Sequence, residues 1–409
     1  MRTKVLMVGL NKAFLHSLEC ADNRYEVFIL EEQDLYEANP QAYKSKILQE
    51  VRFGEYQQSE QVVDQVFQWF QEIGFDVIVP GMEYAVQGTY KAAARLGLRT
   101  PGAKAIAAFT NKYRLRQACR EIGVPQPEFA KVSSEVDVAR FYHDRPIIIK
   151  PVNRRASVGV IKIEKSEDIE SAWNESINAS EKNRLVQRSL FWEYIVEDYL
   201  EGVEYSVESL VLDGQVIFNN ITLKETVGGR YFAETGHILP APLDFEKKSS
   251  LLEANERLLS GLEVSFGLFH SEWKMTTGGP MLIECAARAP GDKIPELIHE
   301  VYHFNLYEAF LQVLMGRHPN VASLCDGYAG IRYFRPNPGR LIDLKGVDIL
   351  KSDESIISYQ INVSLGEIIT NFNSSWDRVG YFMIKSNQMI DLQEKLDQIE
   401  SNIIFHVGE

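Results

Sequence analysis

Strand and helix alternate through the first hundred residues, and this alternation restricts the fold more than any other feature of the chain. Residues 4–9, Lys-Val-Leu-Met-Val-Gly, form a short apolar run of the buried-strand kind. Residues 61–73 place Val62, Val63, Val66, Phe67 and Phe70 on one helical stripe. A second buried strand is predicted at 75–81 (FDVIVPG), followed by a helix over 84–98 that Thr-Pro-Gly closes. Buried strands joined by amphipathic helices assemble as a parallel, doubly wound sheet. Such a sheet binds ligands beyond the carboxyl ends of its strands, where Gly9 and Glu83 fall. Gly-Leu-Asn-Lys-Ala-Phe follows the first strand in place of GxGxxG, so a dinucleotide site is not supported.

The texture then changes. Residues 103–123 read as helix and 124–129 (VPQPEF) as a linker. A hairpin-like block follows: RPIIIKPV, NRRAS and VGVIKIE, then a helix near 166–180 and the strand WEYIVEDYL. From 202 onward the pattern is antiparallel. VEYSVESLVL and QVIFNNITL flank Asp213-Gly214, a strong hairpin turn. A helix near 246–266 leads to a second hairpin, LFHSEWKM–TTGGP–MLIECAAR. One helix over 294–315, mixed strands and a C-terminal helix (388–402) complete the chain. The fold class expected is α/β and α+β multidomain. An N-terminal parallel-sheet domain covers 1–123, a small lid domain 124–195 and an antiparallel-sheet domain 196–409, with about 320–409 a subdomain. Three units suit 409 residues at roughly 150 per domain.

Bulk properties remove several classes of function. A net charge of −14 leaves no basic face for phosphate backbones, so no nucleic-acid partner is expected. No apolar run approaches the ~20 residues of a membrane helix, and the N-terminus lacks signal-peptide features. Cys20, Cys119, Cys285 and Cys325 are scattered without CxxC spacing, which suits a reducing cytoplasm.

The stretch MLIECAARAPGD (281–292) carries the first chemical signal. If the TTGGP turn is symmetric about Gly278, Glu272 lies directly opposite Glu284, and like charges so placed repel. A bridging divalent cation would remove that penalty, and Mg²⁺ favours one or two carboxylates plus substrate phosphates. Period-two alternation places Glu284, Ala286 and Arg288 on one face, with Ile283 and Cys285 on the other. The plain alternative is a solvated sheet face with an incidental arginine.

Four further elements point to phosphate and nucleotide. Lys150 ends the run PIIIK, and the NRRASVG loop offers Arg154, Arg155, Ser157 and Gly159 to an anion. Lys112 opens a basic helix, which could equally be a solvated face. In YIVEDYLEGVE, the reading is that Glu197 through Leu200 present backbone groups to an adenine edge and that Glu204 accepts from ribose hydroxyls. Lone charges on an edge strand are the alternative.

Taken in order, NKYRLRQACREIGVPQP, IIIKPVNRRASVGV, IVEDYLEG, HSEWKM and LIECAARAPGDKIP resemble the motif series of the ATP-grasp superfamily. Within it the chain is most similar to the L-amino acid ligases that make dipeptides. The resemblance implies ATP and Mg²⁺ (or Mn²⁺) as cofactors, two amino acids as substrates and a homodimer. It implies that Lys112 and Lys150 contact ATP phosphates under a loop containing Ala156 and Ser157. Glu197, Asp198, Tyr199 and Leu200 would hold adenine, Glu204 the ribose, and Glu272 and Glu284 the metal. Arg288 would stabilise the acyl phosphate. AETGHI (233–238) resembles a substrate-lining segment, with Glu234 and His237 as general-base candidates, and Glu83 and Gly291 would face the same cleft. Ala286 stands where many superfamily members carry an asparagine ligand, as it does in the dipeptide-ligase branch.

The implied reaction activates one carboxylate as an acyl phosphate, which the amine of a second amino acid attacks. Asp292, four residues beyond Arg288, is expected to bias the first substrate towards a cationic side chain, arginine or lysine. Capping the helix that starts near Ile294 is its other reading. Two rival functions are weighed: a carboxylase subunit or purine-pathway ligase, and a nucleotide-binding regulator without turnover. The missing carrier-lysine motif argues against the first, and retention of Lys150, Glu272, Glu284 and Arg288 against the second.

Overall fold

The computed structural model describes residues 2–21, 23–181, 185–322 and 324–408. Four parallel strands, β1 (Thr3–Val8), β2 (Tyr25–Glu31), β3 (Leu48–Phe53) and β4 (Val77–Pro80), form the N-terminal sheet in the order β3-β2-β1-β4. The predicted strands are β1 and β4; β2 and β3 were not separated from the chain around them. Helices cover both faces, as a doubly wound sheet requires. Trp69, rather than Phe67 or Phe70, completes the buried stripe of the helix Gln61–Ile73 with Val62 and Val66. At the carboxyl edge Gly9 and Gly81 nearly touch: a Cβ on Gly81 would lie 1.8 Å from the Gly9 carbonyl oxygen. This edge faces the candidate site.

A separate antiparallel sheet follows, β5 (Phe129–Val132), β6 (Ile147–Pro151), β7 (Ile161–Ile163) and β8 (Tyr194–Asp198), in the order β5-β8-β6-β7 with its own small core. The rest is dominated by eight antiparallel strands. These are β9 (Val203–Leu212), β10 (Gln215–Thr226), β11 (Glu234–Leu239), β12 (Gly267–Thr276), β13 (Gly279–Ala286), β14 (Tyr328–Tyr333), β16 (Ile356–Ile361) and β18 (Gly380–Ser386), and their order is β13-β12-β9-β10-β11-β14-β18-β16. Residues beyond 320 thus extend this sheet. They also add a small one from β15 (Gly339–Lys345), β17 (Ile368–Ile369) and β19 (Ile404–Gly408), over which the helix Met389–Asn402 shares a core.

The helix predicted over 294–315 is two, Ile294–Tyr302 and Leu306–Leu314, because His303 takes a left-handed conformation and Asn305 caps the second. Residues 103–123 divide in the same way: Asn111 caps a new helix, Lys112–Ile122, by accepting from the Arg114 N–H at 3.0 Å. That break places Lys112 on the first turn, aimed at the cleft. No helix among the described residues is long and apolar enough to cross a membrane.

Candidate active site

The charged face of the large sheet follows from alternation in three strands. Glu204, Ser206 and Glu208 of β9 point one way, while Tyr205, Val207 and Val211 fill the core behind. The register aligns them in rows with β10 and β12: Lys224–Glu204–Lys274, Thr222–Ser206–Glu272 and Asn220–Glu208–His270. β13 adds Glu284 opposite Glu272.

That last pairing has an unexpected origin. The turn is tighter than assumed, with Thr276 paired to Gly279, and it would by itself set Glu272 against Ile283. A one-residue bulge at Ile283 moves the register, so Glu272 meets Glu284 after all. The bulge also turns Ile283 into the cavity beside Glu284, whereas strict alternation had it facing away with Cys285.

Lysines stand at these carboxylates. Lys112 Nζ is 2.8 Å from Glu284 Oε2 and donates to the Arg154 carbonyl at 2.8 Å. Burial works against its charge, but Glu284, with Glu83 and Glu272, holds its pKa above the ordinary lysine value. Lys224 Nζ contacts Glu272, and lies 3.2 Å from Glu204 and 3.4 Å from Glu234. Burial opposes its charge too, yet these three acids raise its pKa well above the usual value. His270 bridges Glu208 (3.0 Å) and Glu272 (3.1 Å); the two contacts outweigh burial and raise its pKa to about 9.

A second cationic group lies at the β6–β8 end. Buried Glu197 accepts from Arg116 at 2.7 and 3.2 Å and meets Lys150 Nζ at 2.7 Å. Burial alone would raise its pKa, but the two cations hold it at about 2. Lys150 moves the other way. Its burial, aided by Arg116 and Lys112, outweighs Glu197 and lowers its pKa. One carboxylate cannot satisfy this much positive charge, which leaves the site ready for another anion. Glu197 therefore turns its side chain to the cations. The N–H groups of Asp198 and Tyr199 donate to Glu128 and Pro146, while that of Leu200 has no such bond among the described residues. The loop after Lys150 holds Ala156 and Ser157 at φ 56° and 58° and Gly159 at 74°, a run of left-handed backbone above these lysines.

Lys112, Lys150, Ala156, Ser157, Glu197 to Leu200, Glu272 and Glu284, with Glu204, Glu234, Arg288, Gly291 and Asp292, line one cavity of about 290 Å³, and several of them also line an outer chamber of about 1520 Å³. Two predicted residues do not line the inner cavity. Glu83 instead grips Arg288, Oε2 to Nε at 2.6 Å, and so joins the N-terminal sheet edge to the end of β13. His237 is completely buried, with Nε2 3.5 Å from Asp292 Oδ2. It sits behind Asp292 and the Tyr333 ring, 6.1 Å away, and cannot reach a substrate amine as a general base.

The capping reading of Asp292 needs correction. The helix Ile294–Tyr302 has Lys293 at its N-cap position and no side-chain cap, so Asp292 does not cap it. The Asp292 carboxylate is paired with Arg378 at 2.5 Å. Arg378, like Arg116 and Lys224, escaped sequence reasoning. Arg116 and Arg378 lie tens of residues from their partners, and for Lys224 the Asp213-Gly214 turn alone would set Leu223 against Glu204 until a bulge at Ile217 shifts the register.

A lid-like sheet and a large antiparallel sheet, enclosing lysines above facing carboxylates, define the ATP-grasp architecture. A model of the ATP-grasp domain matches residues 143–296, and one of L-amino acid ligase C-terminal domain 2 matches 332–408. The chain thus carries an ATP-grasp domain followed by an L-amino acid ligase C-terminal domain. It is 27% identical over 382 residues to an alanine–anticapsin ligase of Bacillus subtilis (strain 168), covering 84% of this chain and 80% of that protein. It is 22% identical to an L-arginine-specific L-amino acid ligase of Bacillus subtilis, covering 82% and 81% of the two chains. Among solved structures, an L-amino acid ligase from Bacillus licheniformis superposes with a TM-score of 0.82 at 18% identity, over 100% of this chain and 99% of that one.

Proposed function

We propose that this protein joins two L-amino acids into a dipeptide at the expense of ATP, with ADP and phosphate as the other products. The observation that supports this most directly is the convergence of Lys112, Lys150, the Glu272–Glu284 pair and Arg288 in one cavity. Lys150 and Lys112 receive the phosphates under the Ala156–Ser157 loop; Leu200 offers its N–H to adenine, and Glu204 accepts from the ribose. Sheet β5–β8 acts as a lid that excludes water from the activated carboxylate.

The metal fits the donor set. Among the described residues no group of three or more His, Cys, Asp or Glu is arranged to hold a metal ion by itself, but Glu272 and Glu284 offer the hard carboxylate oxygens that Mg²⁺ takes together with phosphates and water. When bound there, the ion would neutralise charge on the transferred phosphoryl group. Arg288 then bears on the acyl phosphate and on the oxyanion formed as the amine attacks, held in aim by Glu83. Burial of His237 leaves Glu234 and the departing phosphate as acceptors for the amine proton.

The test is phosphate release measured over all pairs of the twenty amino acids, with mass detection of product. We expect release that requires two amino acids and a matching dipeptide. Release without dipeptide for every pair would sink the reading.

A further inference from the structure

Beneath Glu272 lies a buried acid that no step of the reaction uses. Glu208 of β9 is completely buried on the charged side of the large sheet, between Asn220 of β10 and His270 of β12. It does not line the inner cavity, whereas His270 does. Glu208 accepts from Ser206 at 2.6 Å, Asn220 at 2.7 Å, Thr222 at 2.8 Å and His270 Nδ1 at 3.0 Å. Two oxygens holding four donors leave this carboxylate little freedom to turn. On the far side of the imidazole, Nε2 lies 3.1 Å from Glu272 Oε1. Both ring nitrogens thus face carboxylate oxygens, and both donate. Lys224 Nζ meets the same oxygen, Oε1. Glu272 Oε2 has no hydrogen bond or ion pair among the described residues, so it is the oxygen left for a ligand.

We propose that Glu208 and His270 are positioning residues, acting in series, that hold the Glu272 carboxylate in place for the cation. This deepens the proposed function and rests on its assignment of Glu272 to Mg²⁺. Lys224 cannot fill the role alone. Its ammonium is a point charge on a flexible stem, and it is shared with Glu204 and Glu234. The imidazole is rigid and is gripped at both ends. A ligating carboxylate fixed by such a partner meets its ion without first giving up rotamer freedom. A histidine that merely balances charge predicts the opposite sign. Removing positive charge from beside a metal-binding carboxylate strengthens its attraction for a dication, whereas removing the grip weakens binding.

Mn²⁺ binding to the ADP-loaded protein, followed by loss of the free-ion electron paramagnetic resonance signal, is the test. The proteins compared are wild type, His270→Asn, His270→Gln, Glu208→Gln and the double variant Glu208→Gln/His270→Asn. His270→Asn keeps a donor where Nδ1 stood but cannot reach Glu272, and should weaken Mn²⁺ binding by roughly tenfold to a hundredfold. His270→Gln keeps a donor near the place of Nε2 and should recover most of that loss. Glu208→Gln frees the ring and should weaken binding in the same direction. Because Glu208 reaches Glu272 only through the ring, the double variant should bind Mn²⁺ no more weakly than His270→Asn alone. ADP affinity in EDTA, measured by calorimetry, should stay at the wild-type value throughout, which separates an effect on the metal from a damaged fold. Near-UV circular dichroism identifies the variants that fold, and any one of them can refute the idea. A folded His270→Asn or Glu208→Gln that binds Mn²⁺ as tightly as wild type, or more tightly, overturns the proposal. Dipeptide formation reports separately on the ligase reading. Weakened Mn²⁺ binding in variants of a wild type that forms no dipeptide removes that reading only. Dipeptide formation with unchanged Mn²⁺ binding removes the positioning role only, and a wild type that binds no Mn²⁺ removes both.

Discussion

Glu197→Gln should destabilise the fold more than Arg116→Met, although each side chain makes three hydrogen bonds. Arg116, Glu197 and Lys150 form a buried line of plus, minus, plus, all three less than 5% exposed. Removing the central charge leaves two cations that had each stood 2.7 Å from the same carboxylate. At roughly 5 Å apart and an effective dielectric constant of about 20, they repel by about 3 kcal/mol. The total penalty should fall in the range of about 3–5 kcal/mol found for buried pairs that lose one partner. Arg116→Met leaves the neutral Glu197–Lys150 pair. Its main loss is the bond to the Ile283 carbonyl, made at 2.7 Å, which costs about 1–3 kcal/mol. Urea unfolding at neutral pH, followed by far-UV circular dichroism, gives the comparison. With an m-value of about 3 kcal/mol/M, Glu197→Gln should lower the midpoint by roughly 1 M or more and Arg116→Met by less. Acid adds a second check. The folded pKa of Glu197, about 2, lies below the ordinary 4.5, so its contribution is present above 4.5 and fades as pH falls from 4.5 towards 2. Between those values wild type should lose about 3 kcal/mol that Glu197→Gln no longer has to lose. A Glu197→Gln midpoint equal to or above that of Arg116→Met would refute the charge-balance reasoning.

Two further predictions concern turnover. Glu83→Gln weakens the 2.6 Å grip on Arg288, so kcat should fall on the order of tenfold to a hundredfold while KM for ATP stays nearly constant; steady-state assays varying ATP and each amino acid would show it. Trp376→Ala removes one of the two rings, Trp376 at 5.3 Å and Tyr84 at 5.4 Å, between which Arg155 of the phosphate loop lies. Phosphate released per dipeptide should then rise, measured by parallel phosphate and mass assays, because a loosened loop admits water.

Legibility followed sequence separation. The β12–β13 hairpin could be read because it depends on local alternation and a turn, whereas Lys112 and Lys150 stood out only through the order of motifs they share with the ATP-grasp series. The pairing of Glu272 with Glu284 was anticipated from a turn of the wrong size, and a bulge at Ile283 restored it. Alternation cannot signal such a bulge, since one extra residue leaves the composition of both strands unchanged. Arg116, Lys224 and Arg378 were invisible for a different reason. A buried cation on a helix or strand looks like a solvated one until its partner, 81 residues away for Arg116 and 86 for Arg378, folds against it. Asp292 does not cap the helix it precedes, because Lys293 in a left-handed conformation takes the N-cap position.

Seen together, the cleft is a set of balanced couples drawn from different parts of the protein. Glu284 faces Lys112, Glu272 faces Lys224 and His270, Glu83 faces Arg288, and Asp292 faces Arg378. Few of these groups would remain buried and charged alone, since isolated charges in an apolar interior are strongly disfavoured. The balance also constrains how ligands enter. A phosphate that takes Lys112 releases Glu284, and a dication that takes Glu284 releases Lys112, so neither exchange is favourable without the other. Nucleotide and metal therefore suit this cleft best as one unit, whose arrival frees a lysine for phosphate and a glutamate for the ion in the same step. The Asp292–Arg378 couple is held outside that exchange by Tyr333, Ser375 and the Glu234 carboxylate, so it keeps its partners while the other pairs change theirs.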